Sequence, residues 1–257
     1  ENFDLFFARF KEHLECKREI DHLLLDEAQD STEEQFEFLL DILKPKYWML
    51  FGDQRQSIYG FNGADPNCLI KLMHDKNTMV YNLNENYRNG YNILSFAKRI
   101  IDQLGYNYRD NSISKTKKLG TVMQIPYSIE TIYEQVSRDD NYKDWFILTR
   151  NNDQLTYIYN YLTKHNIPCS TFKRSELSSR AFNEEMNKNT VKVLTIHTSK
   201  GLENKNVIVV GATTFLKSYS NIEEIRVAYV AATRAKDKLI WMSGQKKKKV
   251  QVSNWEQ

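Results

Sequence analysis

Short apolar runs that alternate with helical patterns constrain the fold of this chain more than any other feature of its sequence. Each run has the length of a buried strand, and we predict strands at residues 20–25, 47–51, 78–83, 121–125, 145–148, 191–196, 207–210 and 239–242. Apolar residues at helical spacing predict helices over residues 3–14, 31–43, 93–104, 155–162 and 222–235, the second of them with Ser31 as its N-cap. This alternation is typical of an α/β fold with mainly parallel sheets.

A polar, lysine-rich segment interrupts the alternation at residues 105–120. Because it is poor in large aliphatic side chains, it is typical of a linker between domains. We therefore predict a first domain over residues 1–104, a linker over 105–120 and a second α/β domain over 121–245. The remaining residues, 246–257, begin with four lysines and form a basic tail, which is usually solvated but can contact phosphates.

The composition of the 257 residues excludes several classes of protein. A hydrophobic content of 41% is enough for packed cores, which argues against a disordered chain. No apolar run approaches the roughly 18 residues of a membrane helix, so we expect no membrane anchor. The three cysteines have no metal-ligand spacing and indicate a reducing compartment. A net charge of +3 permits a polyanionic partner without requiring one.

Two adjacent acids, Asp26 and Glu27, follow the first predicted strand. In open parallel sheets, ligand crevices form at the carboxyl ends of the strands. One carboxylate at such a position can hold Mg²⁺, while the other orients or deprotonates an attacking water. The alternative is an acid pair that only caps the following helix. Adjacent acids are common, so the pair alone does not decide between the two interpretations.

A loop rich in Gly, Asn and Asp follows the second predicted strand and contains two aromatic residues, Tyr59 and Phe61. Aromatic rings beside amide side chains suit stacking on single-stranded bases, which contributes roughly 1–3 kcal/mol per base. The alternative is that both rings are buried as anchors of the loop. Without further context, that alternative is the better interpretation.

Five segments in a fixed order supply the context. They are His22-Leu-Leu-Leu-Asp-Glu-Ala-Gln-Asp30, Phe51-Gly-Asp-Gln-Arg-Gln-Ser-Ile-Tyr-Gly-Phe-Asn-Gly-Ala-Asp65, Leu83-Asn-Glu-Asn-Tyr-Arg-Asn89, Val193-Leu-Thr-Ile-His-Thr-Ser-Lys-Gly-Leu-Glu203 and Glu224-Ile-Arg-Val-Ala-Tyr-Val-Ala-Ala-Thr-Arg-Ala-Lys236. Together they resemble the motifs of the UvrD/Rep/PcrA family of superfamily 1 DNA helicases. The resemblance implies two RecA-like motor domains with mainly parallel sheets, of which the first is incomplete. It also implies ATP and Mg²⁺ as cofactors, single-stranded DNA as the partner, and a cytoplasmic, nucleoid-associated location.

The resemblance assigns a role to each candidate site residue. For the nucleotide it implies Mg²⁺ binding by Asp26, water activation by Glu27, sensing of the γ-phosphate by Gln56, base stacking by Tyr87, phosphate contacts by Arg88 and Arg234, close approach at Gly201 and a ribose contact by Glu203. For the DNA it implies contacts by Tyr59, Phe61, His197 and Thr198. ATP hydrolysis in a cleft between the two domains would then drive movement along the strand, 3′ to 5′ by family analogy.

The sequence departs from the family pattern in several places. No Gly-x-x-x-x-Gly-Lys-Ser/Thr occurs in it, and this loop supplies the backbone amides and the lysine that cradle the phosphates. We therefore expect the partner of this chain to be a missing N-terminal motor segment and the isolated chain to lack ATPase activity. Asn62 stands where the family often has arginine. The short interval between Cys169 and Val191 predicts a second domain without a large accessory insertion.

Three functions are consistent with these features. The first is a portion of an ATP-dependent DNA helicase, which acts in DNA replication or repair. The second is a non-catalytic DNA-binding or scaffolding module with a motor fold. The third, a helicase–nuclease subunit, is disfavoured because nothing after Trp255 offers a cluster of nuclease acids.

Overall fold

The computed structural model describes residues 20–173, 176–212 and 221–244. Their contacts define two units, each built from several stretches of chain. Unit 1 contains the described residues of 20–85, 98–113 and 221–230, and unit 2 contains those of 86–97, 114–212 and 231–244. The predicted helix over residues 3–14 and the basic tail over 246–257 lie outside the described residues.

The described residues form short strands and mostly short helices. The strands are β1 (His22–Leu25), β2 (Tyr47–Leu50), β3 (Glu85–Asn86), β4 (Ile113–Ser114), β5 (Thr121–Pro126), β6 (Trp145–Thr149), β7 (Cys169–Ser170), β8 (Val191–Thr195), β9 (Asn204–Val209) and β10 (Ala235–Ser243). The helices are α1 (Glu33–Phe36), α2 (Pro66–Met73), α3 (Tyr91–Ile101), α4 (Ile129–Val136), α5 (Asn152–Lys164), α6 (Ser179–Asn187) and α7 (Ile222–Ala232). None of the described helices has the length and apolar character needed to cross a membrane.

Unit 1 contains a parallel pair of strands, β1 and β2, in which His22 lies opposite Tyr47 and Leu25 opposite Leu50. A small apolar core packs beside the pair and consists of Ala28, Phe36, Cys68 and Leu69 with the partly buried Leu25, Leu40, Leu50 and Leu72. Several apolar side chains of the pair remain exposed, among them Leu24 and Met49. This apolar cluster lies on the side of α1 and α2, and unit 1 also buries Ile58, Ile101 and Val227.

The helix after β1 begins one residue later than predicted. Thr32, and not Ser31, is its N-cap: the Thr32 hydroxyl accepts a hydrogen bond from the Gln35 amide, and the Gln35 side chain accepts one from the Thr32 amide, both at 3.2 Å. This reciprocal capping box satisfies two backbone donors that the first turn leaves without partners. The helix continues as a π-helix over Glu37–Ile42.

Unit 2 is built on a six-stranded sheet with the order β5-β10-β9-β6-β8-β7. Every neighbouring pair in it is parallel. All residues of the inner strand β6 are buried, and β8 and β9 are buried over most of their length. Strands of a parallel sheet that is covered on both faces need such continuous apolar runs. The predicted α/β class with parallel sheets is therefore confirmed.

One apolar core of unit 2 packs the sheet against α4 and α5. Ile129 and Ile132 of α4 and Ile158 and Leu162 of α5 are buried against strand residues such as Ile147. Burial of each such side chain contributes roughly 1.5–3 kcal/mol. The strands that the sequence predicted in this part of the chain all form, with bounds that differ by a few residues.

One predicted strand is wrong. Residues 78–83 are not part of a strand, and the side chains of Met79, Tyr81 and Leu83 are exposed. Residues 78–83 form a short apolar run, which is typical of a buried strand. A strand also needs a neighbouring strand with which it can form hydrogen bonds. The sequence reading also missed helices α2, α4 and α6, whose helical patterns span only two to three turns.

A buried lysine in β8 gives a testable consequence of this packing. Lys192 is fully buried, and its Nζ donates hydrogen bonds to the Lys188 carbonyl at 2.8 Å, and to the carbonyl and hydroxyl of Thr190 at 3.0 and 2.7 Å. Burial lowers the pKa of Lys192 to about 8, with an opposing effect of Glu185 and a reinforcing effect of Lys188. In the unfolded chain a lysine has a pKa of roughly 10.4.

We predict that the free energy of unfolding of the wild type rises between about pH 8 and pH 10.4 relative to that of Lys192→Met. In this window the unfolded chain binds more protons at Lys192 than the folded chain, so a higher pH favours folding. Urea unfolding at several pH values measures the difference, with the exposed Lys164→Met as the control. Identical pH profiles for the wild type and Lys192→Met contradict the prediction.

Candidate functional site

The two predicted acids lie directly after β1, where both side chains are exposed. The Asp26 carboxylate accepts a hydrogen bond from the Glu27 amide at 2.8 Å. Glu27 has a left-handed backbone, with φ 52° and ψ 38°. For a residue other than glycine this conformation costs on the order of 1–3 kcal/mol, and such strain persists where surrounding contacts impose it. The backbone thus sets the direction of the Glu27 side chain.

A buried amide side chain, that of Gln29, supplies one of those contacts. Its Nε2 donates to the Glu27 carboxylate at 2.5 Å, and its Oε1 accepts from the Asp53 amide at 2.9 Å. Gln29 is only 1% exposed. A Cβ on Gly52 would lie 2.8 Å from Gln29 Oε1, so the close approach requires glycine there. Gln29 therefore joins the end of β1 to the loop after β2.

The loop after β2 is organised by the carboxylate of Asp53. One of its oxygens accepts the Arg55 amide at 3.0 Å, and the other accepts Gln56 Nε2 at 2.9 Å. Asp53 thereby orients the predicted γ-phosphate sensor, Gln56. Hydrogen bonds join Glu27 to the Gln29 side chain, Gln29 to the Asp53 backbone amide, and the Asp53 carboxylate to Gln56. Two side chains for which sequence resemblance implied catalytic roles are thus held by one network within unit 1.

The two aromatic residues of this loop differ in exposure. Phe61 is 68% exposed, whereas Tyr59 is partly buried, and their ring centroids are 6.0 Å apart in an edge-to-face arrangement. Burial raises the pKa of Tyr59, and the negative charges of Asp30 and Glu27 raise it further. The Tyr59 ring therefore lies within electrostatic reach of the acid pair. Most of the Phe61 side chain is accessible to solvent, as stacking on a base requires.

In unit 2, the segment Asn86–Asn89 is fixed by its two asparagines. The Asn86 side chain accepts the amides of Arg88 and Asn89 at 3.0 and 2.8 Å. The buried Asn89 side chain donates to the carbonyls of Thr233 and Ala235 at 3.0 and 2.6 Å. Between the two anchors, Tyr87 is 71% exposed.

Arg88 belongs to a small ion-pair cluster at this place. The Glu203 carboxylate receives a hydrogen bond from Arg88 Nε on one oxygen and lies 2.5 Å from Lys236 Nζ on the other. Burial favours the protonated form of Glu203, but Lys236 and Arg88 outweigh it and hold the pKa of Glu203 below its usual value. Two cations and one carboxylate therefore meet here, with one positive charge in excess.

Arg234, to which the resemblance assigns a phosphate contact, is buried in unit 2. Arg234 is only 1% exposed. Its guanidinium donates hydrogen bonds to the Leu202 carbonyl at 3.2 Å and to the Thr233 hydroxyl at 3.0 Å. Gly201 has φ 77°, which favours glycine, and within the described residues no atom lies within 4 Å of the position that a Cβ would take. The backbone beside Gly201 is therefore open to the approach of another molecule.

In unit 2, two residues predicted to contact DNA and two predicted to contact the nucleotide lie at opposite ends of the strands of the sheet. His197 and Thr198 follow the carboxyl end of β8, and Glu203 and Arg234 directly precede the amino ends of β9 and β10. Because these strands are parallel, one pair of residues lies at their carboxyl ends and the other pair at their amino ends. The Thr198 hydroxyl pairs with that of Thr195 at 2.9 Å, which fixes the turn after β8.

The sequence predicts a magnesium site at Asp26 in unit 1. Among the described residues, no group of three or more His, Cys, Asp or Glu side chains could enclose a metal ion. Mg²⁺ commonly takes one or two carboxylates and completes its shell with water and substrate phosphates. An exposed carboxylate at a strand end fits that chemistry.

Sequence reasoning missed several residues that organise these sites, namely Gln29, Asp53, Asn86, Asn89 and Lys236. Gln29 and Asp53 lie inside the segments that carried the resemblance, but a polar residue in a loop does not by itself indicate which partner it has. The spacing of Asn86 and Asn89 around Tyr87-Arg88 is a usable signal, because asparagines often cap turns with their side chains.

Comparison with known proteins gives consistent matches over most of the chain. A family model of the UvrD-like helicase C-terminal domain matches residues 81–182 and 171–246, and one of the UvrD/REP helicase N-terminal domain matches residues 6–77. The ATP-dependent DNA helicase Rep of Escherichia coli K12 is 29% identical over 181 residues, which cover 63% of this chain and 27% of that protein. Rep of Buchnera aphidicola from Acyrthosiphon pisum is 28% identical over 177 residues, with 64% and 27% covered.

A mitochondrial relative and a solved structure extend these comparisons. The ATP-dependent DNA helicase HMI1 of Saccharomyces cerevisiae is 31% identical over 172 residues, which cover 59% of this chain and 24% of that protein. The C-terminal domain of a possible DNA helicase from Lactobacillus plantarum matches with a TM-score of 0.44 and 19% identity, over 62% of this chain and 88% of that chain. The chain spans about a quarter of the length of the curated relatives it matches. Because the C-terminal family model alone matches more than half of the residues, the chain belongs to the UvrD-like helicase family.

Proposed function

We propose that this chain is a portion of an ATP-dependent DNA helicase and that it couples ATP hydrolysis to movement along single-stranded DNA. The observation that carries the proposal is the hydrogen-bonded path from Glu27 through Gln29 and Asp53 to Gln56. It orients a carboxylate and an amide, the two groups that water activation and phosphate sensing need, at the ends of neighbouring parallel strands. Family membership supports the substrate class.

For hydrolysis, we assign the role of general base to Glu27. Its carboxylate orients the water that attacks the γ-phosphate or accepts a proton from it. General-base catalysis contributes a rate enhancement of roughly 10²–10⁴. Asp26 is proposed to hold Mg²⁺, which when bound neutralises charge on the phosphate oxygens. Gln56 is proposed to contact the γ-phosphate.

The basic residues of unit 2 are proposed to bind the nucleotide. Arg88 pairs with Glu203, and a terminal phosphate can replace this carboxylate at the guanidinium because both anions accept parallel hydrogen bonds. Glu203 is then released to the ribose, where it accepts hydroxyl hydrogen bonds. Tyr87 is exposed beside Arg88 and is proposed to stack on the base. Arg234 would leave the Leu202 carbonyl to reach the γ-phosphate.

For the DNA, we propose stacking of bases on Tyr59 and Phe61 and backbone contacts by His197 and Thr198. The movement is proposed to run 3′ to 5′, by analogy with the family. A base on an exposed ring contributes through its π-face, so this contact does not depend on the sequence of the strand.

We expect Phe61→Ala to weaken binding of a fluorescein-labelled oligo(dT) strand. Loss of one stacking surface costs roughly 1–3 kcal/mol, which corresponds to a rise in Kd of about 5- to 150-fold. Fluorescence anisotropy on the 257-residue chain measures the change. Tyr157→Ala is the matched control, because Tyr157 is an exposed aromatic residue on α5 outside the proposed contacts.

Equal Kd values for Phe61→Ala, Tyr157→Ala and the wild type contradict the stacking role. Oligo(dT) binding that needs Phe61 but does not respond to any nucleotide supports the non-catalytic DNA-binding module instead.

We expect Glu27→Gln to abolish DNA-stimulated turnover and to retain ATP binding. The 257-residue chain alone is proposed to lack ATPase activity, so this substitution is made in an ATPase-competent form of the protein that contains the chain. An amide keeps the hydrogen bonds but accepts no proton, and kcat should fall by roughly 10²–10⁴. Phosphate release gives kcat, and equilibrium binding of a fluorescent ATP analogue gives the affinity.

Glu33→Gln is the control for this experiment, since Glu33 is an exposed acid in the first turn of α1 near the same strand end. A kcat that stays within twofold of the wild type in Glu27→Gln rules out Glu27 as the base. Loss of ATP affinity together with turnover points to a binding role.

A further inference from the structure

A largely buried ionic cluster in unit 1 contacts the loop that carries Gln56. We call Asp53, Arg55, Asp110 and Tyr229 the Asp110 cluster. Arg55 Nη1 lies 3.0 Å from one carboxylate oxygen of Asp110, and the Tyr229 hydroxyl donates to the other at 2.9 Å. Arg55 Nε donates to Asp53 at 2.6 Å. Tyr229 belongs to α7, so the cluster joins this helix to the loop after β2.

The charges of the cluster compensate one another. The Asp110 side chain is 1% exposed, and burial alone would raise the pKa of its carboxyl. Arg55 and the hydrogen bonds from Ser112 and Tyr229 outweigh burial, and the pKa of Asp110 is below its usual value. Burial acts to lower the pKa of Arg55, but Asp53, Tyr229 and Asp110 raise it. Both groups of the central pair therefore remain ionised at neutral pH.

A largely buried ion pair of this kind contributes little net free energy to the stability of a fold. The desolvation of two charges offsets most of their attraction, and apolar replacements of similar volume are often as stable. What a fully paired buried charge does provide is a defined geometry, because removal of either partner leaves an uncompensated charge. The Asp110 cluster therefore fixes the position of Arg55.

The position of Arg55 in turn determines that of the Asp53 carboxylate. One Asp53 oxygen accepts from the guanidinium and the other from Gln56 Nε2, so a rotation of Asp53 would break both bonds. The Asp53 amide donates to Gln29, which holds Glu27. The cluster thus supports Gln56 directly through the Asp53 carboxylate, and it supports Glu27 only through the backbone of Asp53 and the Gln29 side chain.

A second contact attaches the same stretch of chain to α7. Arg226 donates to the Tyr108 hydroxyl at 2.8 Å, and its guanidinium lies 5.1 Å from the centre of the Tyr108 ring. Tyr108 and Asp110 are close in sequence and lie in the segment that the sequence assigned to a linker. Side chains at two positions of α7 therefore hold residues 108–110, and through Asp110 they reach Arg55.

We propose that Arg55, Asp110 and Tyr229 are positioning residues, which hold Asp53 in the geometry for ATP hydrolysis. The Asp53 carboxylate then positions the Gln56 side chain, and the Asp53 backbone amide, through Gln29, positions that of Glu27. This inference rests on the proposed function. None of the three residues contacts the substrate; each acts through Asp53.

The first experiment observes the positions directly and needs no activity. Side-chain amide resonances of Gln29 and Gln56 are recorded by NMR on the 257-residue chain for the wild type, Asp110→Asn and Tyr229→Phe. We expect both resonances to shift and to exchange faster with solvent in Asp110→Asn, and to change less in Tyr229→Phe, which removes one hydroxyl and keeps the ion pair. Asp102→Asn, at an exposed acid of unit 1, is the control.

The second experiment measures catalysis in the ATPase-competent form that contains this chain. Asp110→Asn should lower kcat by roughly ten- to a hundredfold, as small displacements of catalytic groups do, with the KM for ATP within about twofold. Arg55→Gln should act similarly, and the double variant should be no worse than the more severe single one, because the two residues act as a unit. Arg55→Lys, which keeps the charge, should restore part of kcat.

Distinct outcomes separate this inference from the proposed function. Unchanged amide resonances in a folded Asp110→Asn overturn the inference, and so do shifted resonances with an unchanged kcat. A lowered melting temperature with normal resonances and normal kcat assigns the cluster to stability alone. If the wild-type form hydrolyses no ATP, the proposed function fails, and the resonances of Tyr229→Phe and Asp110→Asn still decide whether the cluster positions Gln56.

Discussion

The buried side-chain amide of Gln29 is the contact on which the candidate site of unit 1 depends. It is one planar group that must serve two partners in opposite directions, the Glu27 carboxylate and the Asp53 amide. Because an unsatisfied buried amide costs roughly 1–3 kcal/mol, its rotation is restricted to the orientation that satisfies both. The left-handed backbone of Glu27 and the missing side chain at Gly52 are the local conditions for this arrangement.

The two units use electrostatics in different ways. In unit 1 the buried Asp110 is paired with the partly buried Arg55, and the pair fixes geometry. In unit 2 the cluster of Arg88, Glu203 and Lys236 is partly exposed and has an excess of one positive charge. Exposed pairs contribute only about 0–1 kcal/mol each, so a multiply charged anion can replace Glu203 at small cost. One cluster is suited to holding a position and the other to exchanging partners.

The sequence was sufficient for much of the fold and for the members of the site. Runs such as Trp145–Thr149 are continuous and apolar because both faces of a parallel strand are covered, and they were predicted correctly. Residues 78–83 are also a short apolar run, but they pair with no neighbouring strand in the described part of the chain. The pattern of apolar residues in one segment does not show whether such a neighbour exists. Short helices such as Pro66–Met73 offered too few turns for their periodicity to be recognised.

The sequence indicated which residues belong to the site, but it did not indicate which side chains orient them. Asp26, Glu27 and Gln56 could be identified from the motifs, and their roles remain predictions. The partners that orient them could not be identified, because Asp110 is 57 residues from Asp53 and Tyr229 lies more than a hundred residues further along the chain. Contacts between such distant residues follow from the packing of α7 and of residues 108–110 in unit 1 and leave no periodic signal in the sequence.

The most direct test of the account is the DNA-stimulated kcat of Gln29→Leu in an ATPase-competent form that contains this chain. Leucine keeps the approximate volume of the side chain and removes both hydrogen bonds, so a folded variant isolates the orienting role of the amide. We predict that kcat falls by roughly a hundredfold, while the affinity for oligo(dT) stays within about twofold of the wild type. A folded Gln29→Leu variant with wild-type kcat would contradict the claim that Gln29 prepares Glu27 for catalysis.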